Sequence, residues 1–258
     1  MTDILTQILE VKKEEIRAAK IRLPLHELER MPLPEPRDFR GVLSQSGLSV
    51  IAEIKQKSPS AGIIRSGFDP VQIARIYSSA AADAISVLTD SRFFGGHLDF
   101  LKVIRQNVRL PLLRKDFIID PYQIVEARQA GANAVLLIVR ILTQNQYREF
   151  LDLIHELGME ALVEVHTADE LDTALDADVR ILGINNRNLS TLEVELDTSV
   201  ELRRLITDPV ITVSESGIQS REESAILQRA GFDAILVGET LMRSAEPAGM
   251  IHELKGIA

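Results

Sequence analysis

From Leu48 onward the chain repeats one pattern, a short apolar run followed by a longer amphipathic segment. Eight such runs read as strands, over 50–55, 84–89, 112–116, 134–139, 161–165, 181–185, 210–214 and 234–238. Their centres lie roughly 20–35 residues apart, the length of one strand–helix unit. Between them, helices are predicted over 70–81, 98–107, 121–130, 143–157, 168–175, 199–206 and 221–230. Gly131, Gly158 and Gly231 follow helical runs as left-handed terminating glycines do, and Pro121 stands where a first helical turn tolerates proline. The runs are nearly continuous rather than alternating, as parallel strands buried on both faces require. Eight units of this kind predict an α/β fold, a (β/α)8 TIM barrel. A doubly wound open sheet is the alternative, but no glycine-rich fingerprint follows the first strand at Lys55.

A weak internal repeat supports the barrel. Ala82-Asp83-Ala84-Ile85, Ala132-Asn133-Ala134-Val135 and Phe232-Asp233-Ala234-Ile235 each close a helix and open a strand. Ahead of the barrel, residues 3–20 read as an amphipathic helix, capped by Thr2 or Asp3. Ile4, Ile8 and Val11 lie on one face, with Lys12, Lys13, Glu14 and Glu15 opposite. Pro32, Pro34 and Pro36 then form a non-helical strap. Residues 1–47 are thus a helical extension and strap, and 48–258 the barrel, in a single domain.

Composition narrows the chemistry. The chain has no Cys, so disulfides, thiolate zinc sites and cysteine nucleophiles are excluded. Its longest apolar run, 134–139, is too short to span a membrane, and the charged N-terminus has no signal core, so a cytoplasmic protein is expected. A net charge of -9 argues against a broad nucleic-acid surface. The histidines show no metal-ligand spacing; His166 either caps the following helix or sits near the mouth.

In such barrels, function sits at the C-terminal ends of the strands. Alternation puts Glu53 with Lys55 on one face, and that face is the lumen if Ile51 points inward. By the same rule Leu113 goes with Lys115, and Leu162 with Glu164. The later strands end in Asn185-Asn186-Arg187, Ser214-Glu215-Ser216-Gly217 and Gly238-Glu239-Thr240. Lys55, Lys57, Arg114, Lys115 and Arg187 are read as cations at or near one mouth of the barrel. Lysines and carboxylates held together there suit acid–base chemistry; a ring of salt bridges that only satisfies the lumen is the bland alternative. Gly217 and Gly238 follow strands seven and eight, where barrels often bind phosphate, and Ser58 adds a hydroxyl. Phe93, Phe94 and Phe117 either pack under loops or wall an aromatic ring.

Five stretches carry a resemblance: Glu53-Ile54-Lys55-Gln56-Lys57-Ser58-Pro59-Ser60, Leu113-Arg114-Lys115-Asp116-Phe117, Leu162-Val163-Glu164-Val165-His166, Gly183-Ile184-Asn185-Asn186-Arg187-Asn188-Leu189 and Ser214-Glu215-Ser216-Gly217-Ile218. In this order they resemble indole-3-glycerol-phosphate synthase, over essentially the whole chain. The resemblance implies a carboxy-lyase of tryptophan biosynthesis on a barrel with an N-terminal helical extension. Such an enzyme closes the ring of 1-(2-carboxyphenylamino)-1-deoxyribulose 5-phosphate with loss of CO2 and water, using neither metal nor organic cofactor. It further implies Lys115 as general acid and Glu164 as base of the dehydration, with Glu53 beside it. Lys55 would hold the substrate carboxylate, Asn185 and Arg187 would orient, and Glu215 and Ser216 would complete the mouth. Phosphate would fall to Ser58, Gly217, Gly238 and the backbone of Glu239, and the aromatic ring to Phe94, Phe117 and Leu189. Two residues depart from the pattern: Arg140 adds charge at the mouth or points outward, and the Glu239 side chain must turn from the phosphate or be paired.

The competing readings are a related phosphate-binding barrel such as phosphoribosylanthranilate isomerase, which releases no CO2, and a non-catalytic barrel that holds a phosphorylated ligand. The expected partner is a phosphorylated small molecule, with no nucleic acid and no membrane, and the expected state a monomer. The chain ends soon after the eighth strand, so no fused second enzyme is expected.

Overall fold

The computed structural model describes residues 4–188 and 192–257. Eight parallel strands form a closed barrel: β1 (Ser49–Ile54), β2 (Ala84–Leu88), β3 (Leu112–Lys115), β4 (Ala134–Ile138), β5 (Glu160–Val165), β6 (Ile181–Asn185), β7 (Ile211–Glu215) and β8 (Ala234–Val237). Closure comes from β1, which pairs with β2 on one side and β8 on the other. Every predicted strand is present with its ends within one residue. The barrel is right for the reason the sequence supplied: strand after strand is buried along its whole length.

Each apolar run feeds two cores. Ile51, Ala84, Leu113, Ala134, Leu162, Ile181, Val213 and Ala234 fill the lumen. Their chain neighbours, such as Val50, Ala52, Ile85, Val135, Val163 and Ile235, pack outward against the helices. The helices begin where the sequence stops them from beginning earlier. Asp69 caps Pro70–Ser79, Asp120 caps Pro121–Ala130 and Thr143 caps Gln144–Glu156, each with its side chain on a first-turn amide. Such caps contribute about 1 kcal/mol each. Gly131, Gly158 and Gly231 all have positive φ, as their positions after helices require.

The internal repeat now has a physical meaning. Asp83 accepts the amide of Val50, Asn133 that of Leu112 and Asp233 that of Thr212, at 2.7–3.0 Å. Each residue's own amide returns a bond to the carbonyl of the same partner. The repeated Asp or Asn is a clamp joining the base of one strand to the base of the next. Lys255 of the final helix, Pro247–Lys255, pairs in turn with Asp83 at 2.7 Å.

Three expectations need correction. The helix expected over 199–206 spans Asp197–Arg203. Ser199, the expected first residue, lies inside the helix, where its amide donates to Asn186 Oδ1 and its hydroxyl meets Ser214 Oγ at 2.7 Å. Arg114 is not at the mouth. It follows Leu113 and so points to the outer layer, where it pairs with Asp116 and Glu126 and donates to Thr89 and the carbonyl of Gln123. The third concerns α1 (Ile4–Arg22), which is present as expected, while its proposed caps Thr2 and Asp3 lie outside the described residues. Lys12, expected on the face opposite Ile4, Ile8 and Val11, is only 3% exposed. Its ammonium lies 3.0 Å from Asp90 Oδ2 and 2.9 Å from Asp116 Oδ1, on the loops after β2 and β3. Burial opposes that charge, and the two carboxylates outweigh it, so Lys12 titrates above the ordinary lysine range. The strap over 31–38 is non-helical as predicted, and Arg37 ties it to the carbonyls of Arg105 and Leu110. No helix among the described residues is long and apolar enough to cross a membrane.

Candidate active site

The register stacks the lumen in layers built by alternate strands. Ile51, Leu113, Leu162 and Val213 form an apolar layer from β1, β3, β5 and β7. Two residues further along the same strands come Glu53, Lys115, Glu164 and Glu215. Inward alternation therefore delivers one ammonium and three carboxylates into a single layer, directly above packed hydrocarbon. Between these layers sit Leu136 and Leu236 from the even strands.

Above the charged layer opens a cavity of about 870 Å³. It is lined by Glu53, Lys55, Ser58, Phe94, Lys115, Phe117, Glu164, Asn185, Arg187, Glu215, Ser216, Gly217, Gly238 and Glu239, which brings together every site residue read from the sequence except Leu189. Leu189 lies outside the described residues. Lys57 does not reach the cavity and donates to the carbonyl of Arg92. Arg140 turns outward to Glu170 at 2.8 Å. His166 does not cap the helix, a task that falls to Thr167; it sits near the mouth without lining the cavity, its Nδ1 donating to the carbonyl of Asn185 at 2.7 Å. Glu239 is paired, to Arg243 at 2.8 Å.

The charges are coupled at contact distance. Lys115 Nζ lies 3.1 Å from Glu164 Oε2 and 3.3 Å from Glu215 Oε2. Lys55 Nζ lies 2.6 Å from Glu53 Oε1. Burial alone would strip Lys115 of its proton, but Glu164, Glu215 and Glu53 together raise its pKa above the ordinary lysine value, so the ammonium form is held in place. Burial likewise opposes ionisation of Glu53, and Lys55 and Lys115 overcome it, leaving its pKa below the usual range. Glu215 goes the other way. Burial comes first, Lys115 only partly offsets it, and Glu164 and Glu53 add repulsion, so its pKa is pushed up to about 8. Neither oxygen of Glu215 has a hydrogen-bond partner among the described residues. One cavity thus holds a charged acid in Lys115, an ionised carboxylate in Glu53 and a carboxyl in Glu215 that keeps its proton at neutral pH.

Two glycines make room for these carboxylates. A Cβ at Gly183 would fall on Glu215 Oε1, and one at Gly238 on Glu53 Oε1. At the end of β7 the chain turns sharply through Ser216 (φ 68°) and Gly217 (φ 82°). A left-handed serine costs about 1–3 kcal/mol, and Asn186 Nδ2 holds the turn by donating to the Ser216 carbonyl at 2.9 Å. The Phe94 and Phe117 rings stand 6.0 Å apart on one wall of the cavity. Sequence reading missed the apolar lining: Leu88, Leu136, Ile138 and Leu236 from the strands, and Ile4, Leu5 and Ile8 from α1. Strand alternation carries the signal for Leu136, Ile138 and Leu236. Nothing local places α1 over the mouth.

A closed parallel barrel with a lysine–glutamate cluster at its C-terminal mouth defines a (β/α)8 enzyme of acid–base chemistry. The family model for indole-3-glycerol phosphate synthase matches residues 5–254. A protein of that name from Dehalococcoides mccartyi (strain CBDB1) is 48% identical over 97% of this chain and 99% of its own. Another, from Lacticaseibacillus paracasei, is 46% identical over 93% of this chain and 96% of its own. Among solved structures, 3-hexulose-6-phosphate synthase from Salmonella typhimurium superposes with a TM-score of 0.64 at 14% identity, covering 81% of this chain and 97% of that one. KGPDC from Streptococcus mutans gives 0.62 at 14% identity, covering 82% and 97%. These two share the fold alone. The chain belongs to the indole-3-glycerol phosphate synthase family, carboxy-lyases of tryptophan biosynthesis.

Proposed function

We propose that the cavity above the charged layer is where 1-(2-carboxyphenylamino)-1-deoxyribulose 5-phosphate is folded, closed, decarboxylated and dehydrated. The observation that carries this reading is the Lys115 ammonium, buried between Glu164 and Glu215 at 3.1 and 3.3 Å at the base of the cavity. In the first step the aromatic carbon bearing the carboxylate attacks the ketone carbon, and Lys115 protonates the carbonyl oxygen as it becomes a hydroxyl. CO2 then leaves with its bonding electrons returned to the ring. In the last step Glu164, with Glu53 beside it, takes a proton from the CH2 next to the ring nitrogen, and the hydroxyl, protonated by Lys115 once solvent has recharged it, departs as water. Lys55 holds the substrate carboxylate until it is lost, and Asn185 and Arg187 orient the sugar. Arg187 is itself fixed by donating to the carbonyl of Leu192 at 3.0 Å. Ser216 completes the mouth.

The phosphate falls to the far side of the cavity, to Ser58, Gly217, Gly238 and the amide of Glu239. The aromatic ring falls against the wall of Phe94 and Phe117, with Leu189 also lining its pocket. Holding both reacting carbons together is an orientation effect, worth up to about 7–11 kcal/mol in ideal cases. We take the enzyme to be a cytoplasmic monomer without nucleic-acid or membrane partners, in keeping with a phosphorylated substrate that does not cross a bilayer unaided.

Purified chain incubated with this substrate is expected to yield indole fluorescence and CO2 in equal amounts. The chain contains no Trp, so the background is low. Substrate at saturation with no indole formed sinks the reading. The Glu215 carboxyl supplies a second test. Below about pH 8 it is protonated, and above that it adds a negative charge facing Glu164, Glu53 and Lys115. An anionic substrate meets a more negative mouth, so kcat/KM is expected to fall on the alkaline side of about pH 8. Glu215→Gln cannot ionise and is expected to lose that limb. An unchanged limb in this variant assigns it to another group.

A further inference from the structure

Lys12 is the buried charge that the proposed chemistry does not use. It reaches the site from α1, outside the barrel, and its ammonium meets three carboxylates: Glu15 of its own helix at 2.7 Å, and Asp90 and Asp116, which each have a second task. Asp90 sets Oδ2 3.0 Å from the Lys12 ammonium as an ion pair and turns Oδ1 to the amides of Phe93 (2.8 Å) and Phe94 (3.3 Å). Asp116 accepts Lys12 through Oδ1, and the same oxygen takes the amide of Phe117 at 2.8 Å. Its Oδ2 is fixed by Thr89 at 2.5 Å and by Arg114 at 3.1 Å. Asp90 and Asp116 are almost fully buried, and such carboxylates repel each other unless a cation lies between them. The backbones beneath Phe94 and Phe117, whose rings are 6.0 Å apart, are therefore spaced by one ammonium. Asp116 also follows Lys115 directly in sequence.

We propose that Lys12 is a positioning residue that sets the aromatic wall of Phe94 and Phe117, one side of the slot for the substrate's ring. The proposal rests on the reading that this slot takes the substrate's aromatic ring. Lys12 touches no reacting atom; it holds the two loops that carry the rings. The phosphate end of the cavity, on β7 and β8, shares none of these contacts. A loosened slot therefore weakens binding of the ring and leaves binding of the phosphate as it was, whereas a general loss of packing weakens both.

The test compares Lys12→Met with the charge-balanced pair Lys12→Met/Asp90→Asn, in which Asp116 keeps Arg114 as its cation and Glu15 is open to solvent. The double variant is expected to fold with nearly normal stability. Its KM for the substrate is expected to rise at least about fivefold, in the range of one weakened pocket contact, while the inhibition constant of inorganic phosphate stays within about twofold. Lys12→Arg, which keeps the charge between the carboxylates, is expected to recover most of the loss. A smaller rise in KM, or a parallel weakening of phosphate, overturns the proposal. A double variant that does not fold assigns Lys12 to folding and overturns it as well. If the wild-type chain does not turn over the substrate, the activity has failed rather than the slot. Direct binding of anthranilate against inorganic phosphate in the same variants then decides the role of Lys12.

Discussion

Lys115→Met is expected to lower kcat by roughly 10²–10⁴-fold, the usual worth of a positioned general acid, and to leave the protein folded. The lumen beneath Lys115 is packed by Leu113, Leu162 and Val213, none of which depends on the ammonium. The substitution takes the ammonium from Glu164 and Glu215, but Glu215 already carries its proton at neutral pH and Glu53 keeps Lys55 at 2.6 Å, which limits the cost in stability. The measurement is single-turnover kinetics with substrate labelled in its carboxyl carbon, alongside circular dichroism. Neither labelled CO2 nor indole should appear at a significant rate, since ring closure precedes both. A folded variant with kcat near that of the parent removes Lys115 from the role of acid.

Glu164→Gln is expected to cost at least about 10²-fold in indole formation, but with a different pattern. The carboxamide still accepts a hydrogen bond from Lys115, so the acid stays in position and the ring can close. Decarboxylation needs no base. The same labelled substrate should therefore release CO2 in a first turnover while indole lags far behind. The pair of variants separates the two ends of the reaction: one blocks before CO2 is lost, the other after. If Glu164→Gln slows CO2 and indole to the same degree, Glu164 acts on ring closure, and the base of the dehydration must be sought at Glu53.

The strands were legible because their burial is a local matter. A parallel strand covered on both faces is a continuous apolar word, and eight of these could be placed to within one residue. The polar cluster was legible because alternation converts a sequence position into a direction, so that Glu53, Lys115, Glu164 and Glu215 follow from Ile51, Leu113, Leu162 and Val213. The same rule would have turned Arg114 away from the mouth, since it is the odd neighbour between Leu113 and Lys115. Lys12 was not legible. On its own helix it sits among charged residues, and its burial is decided by Asp90 and Asp116, which are far away in the chain. Nor could the sequence show that Ile4, Leu5 and Ile8 face the cavity, because the docking of α1 is a tertiary contact with no local signature. The repeated Asp83, Asn133 and Asp233 were visible as a pattern before their task was known. Only the pairing of successive strands shows why that position needs a carbonyl-type oxygen.

The space kept for carboxylates by Gly183 and Gly238 bears on how this protein tolerates change. Both positions lie at the mouth end of the barrel, away from the clamps at its base. Neither needs a left-handed backbone, for neither has a positive φ. An added methyl group at either place would strike a carboxylate and little else. Such a change looks mild by every chemical measure of similarity, yet it moves Glu215 or Glu53 off station while the barrel stands. The positions most sensitive in function and least sensitive in fold are thus two that present no side chain at all. A survey that truncates side chains to alanine would find nothing there to remove. The informative experiment at these sites is the smallest possible addition.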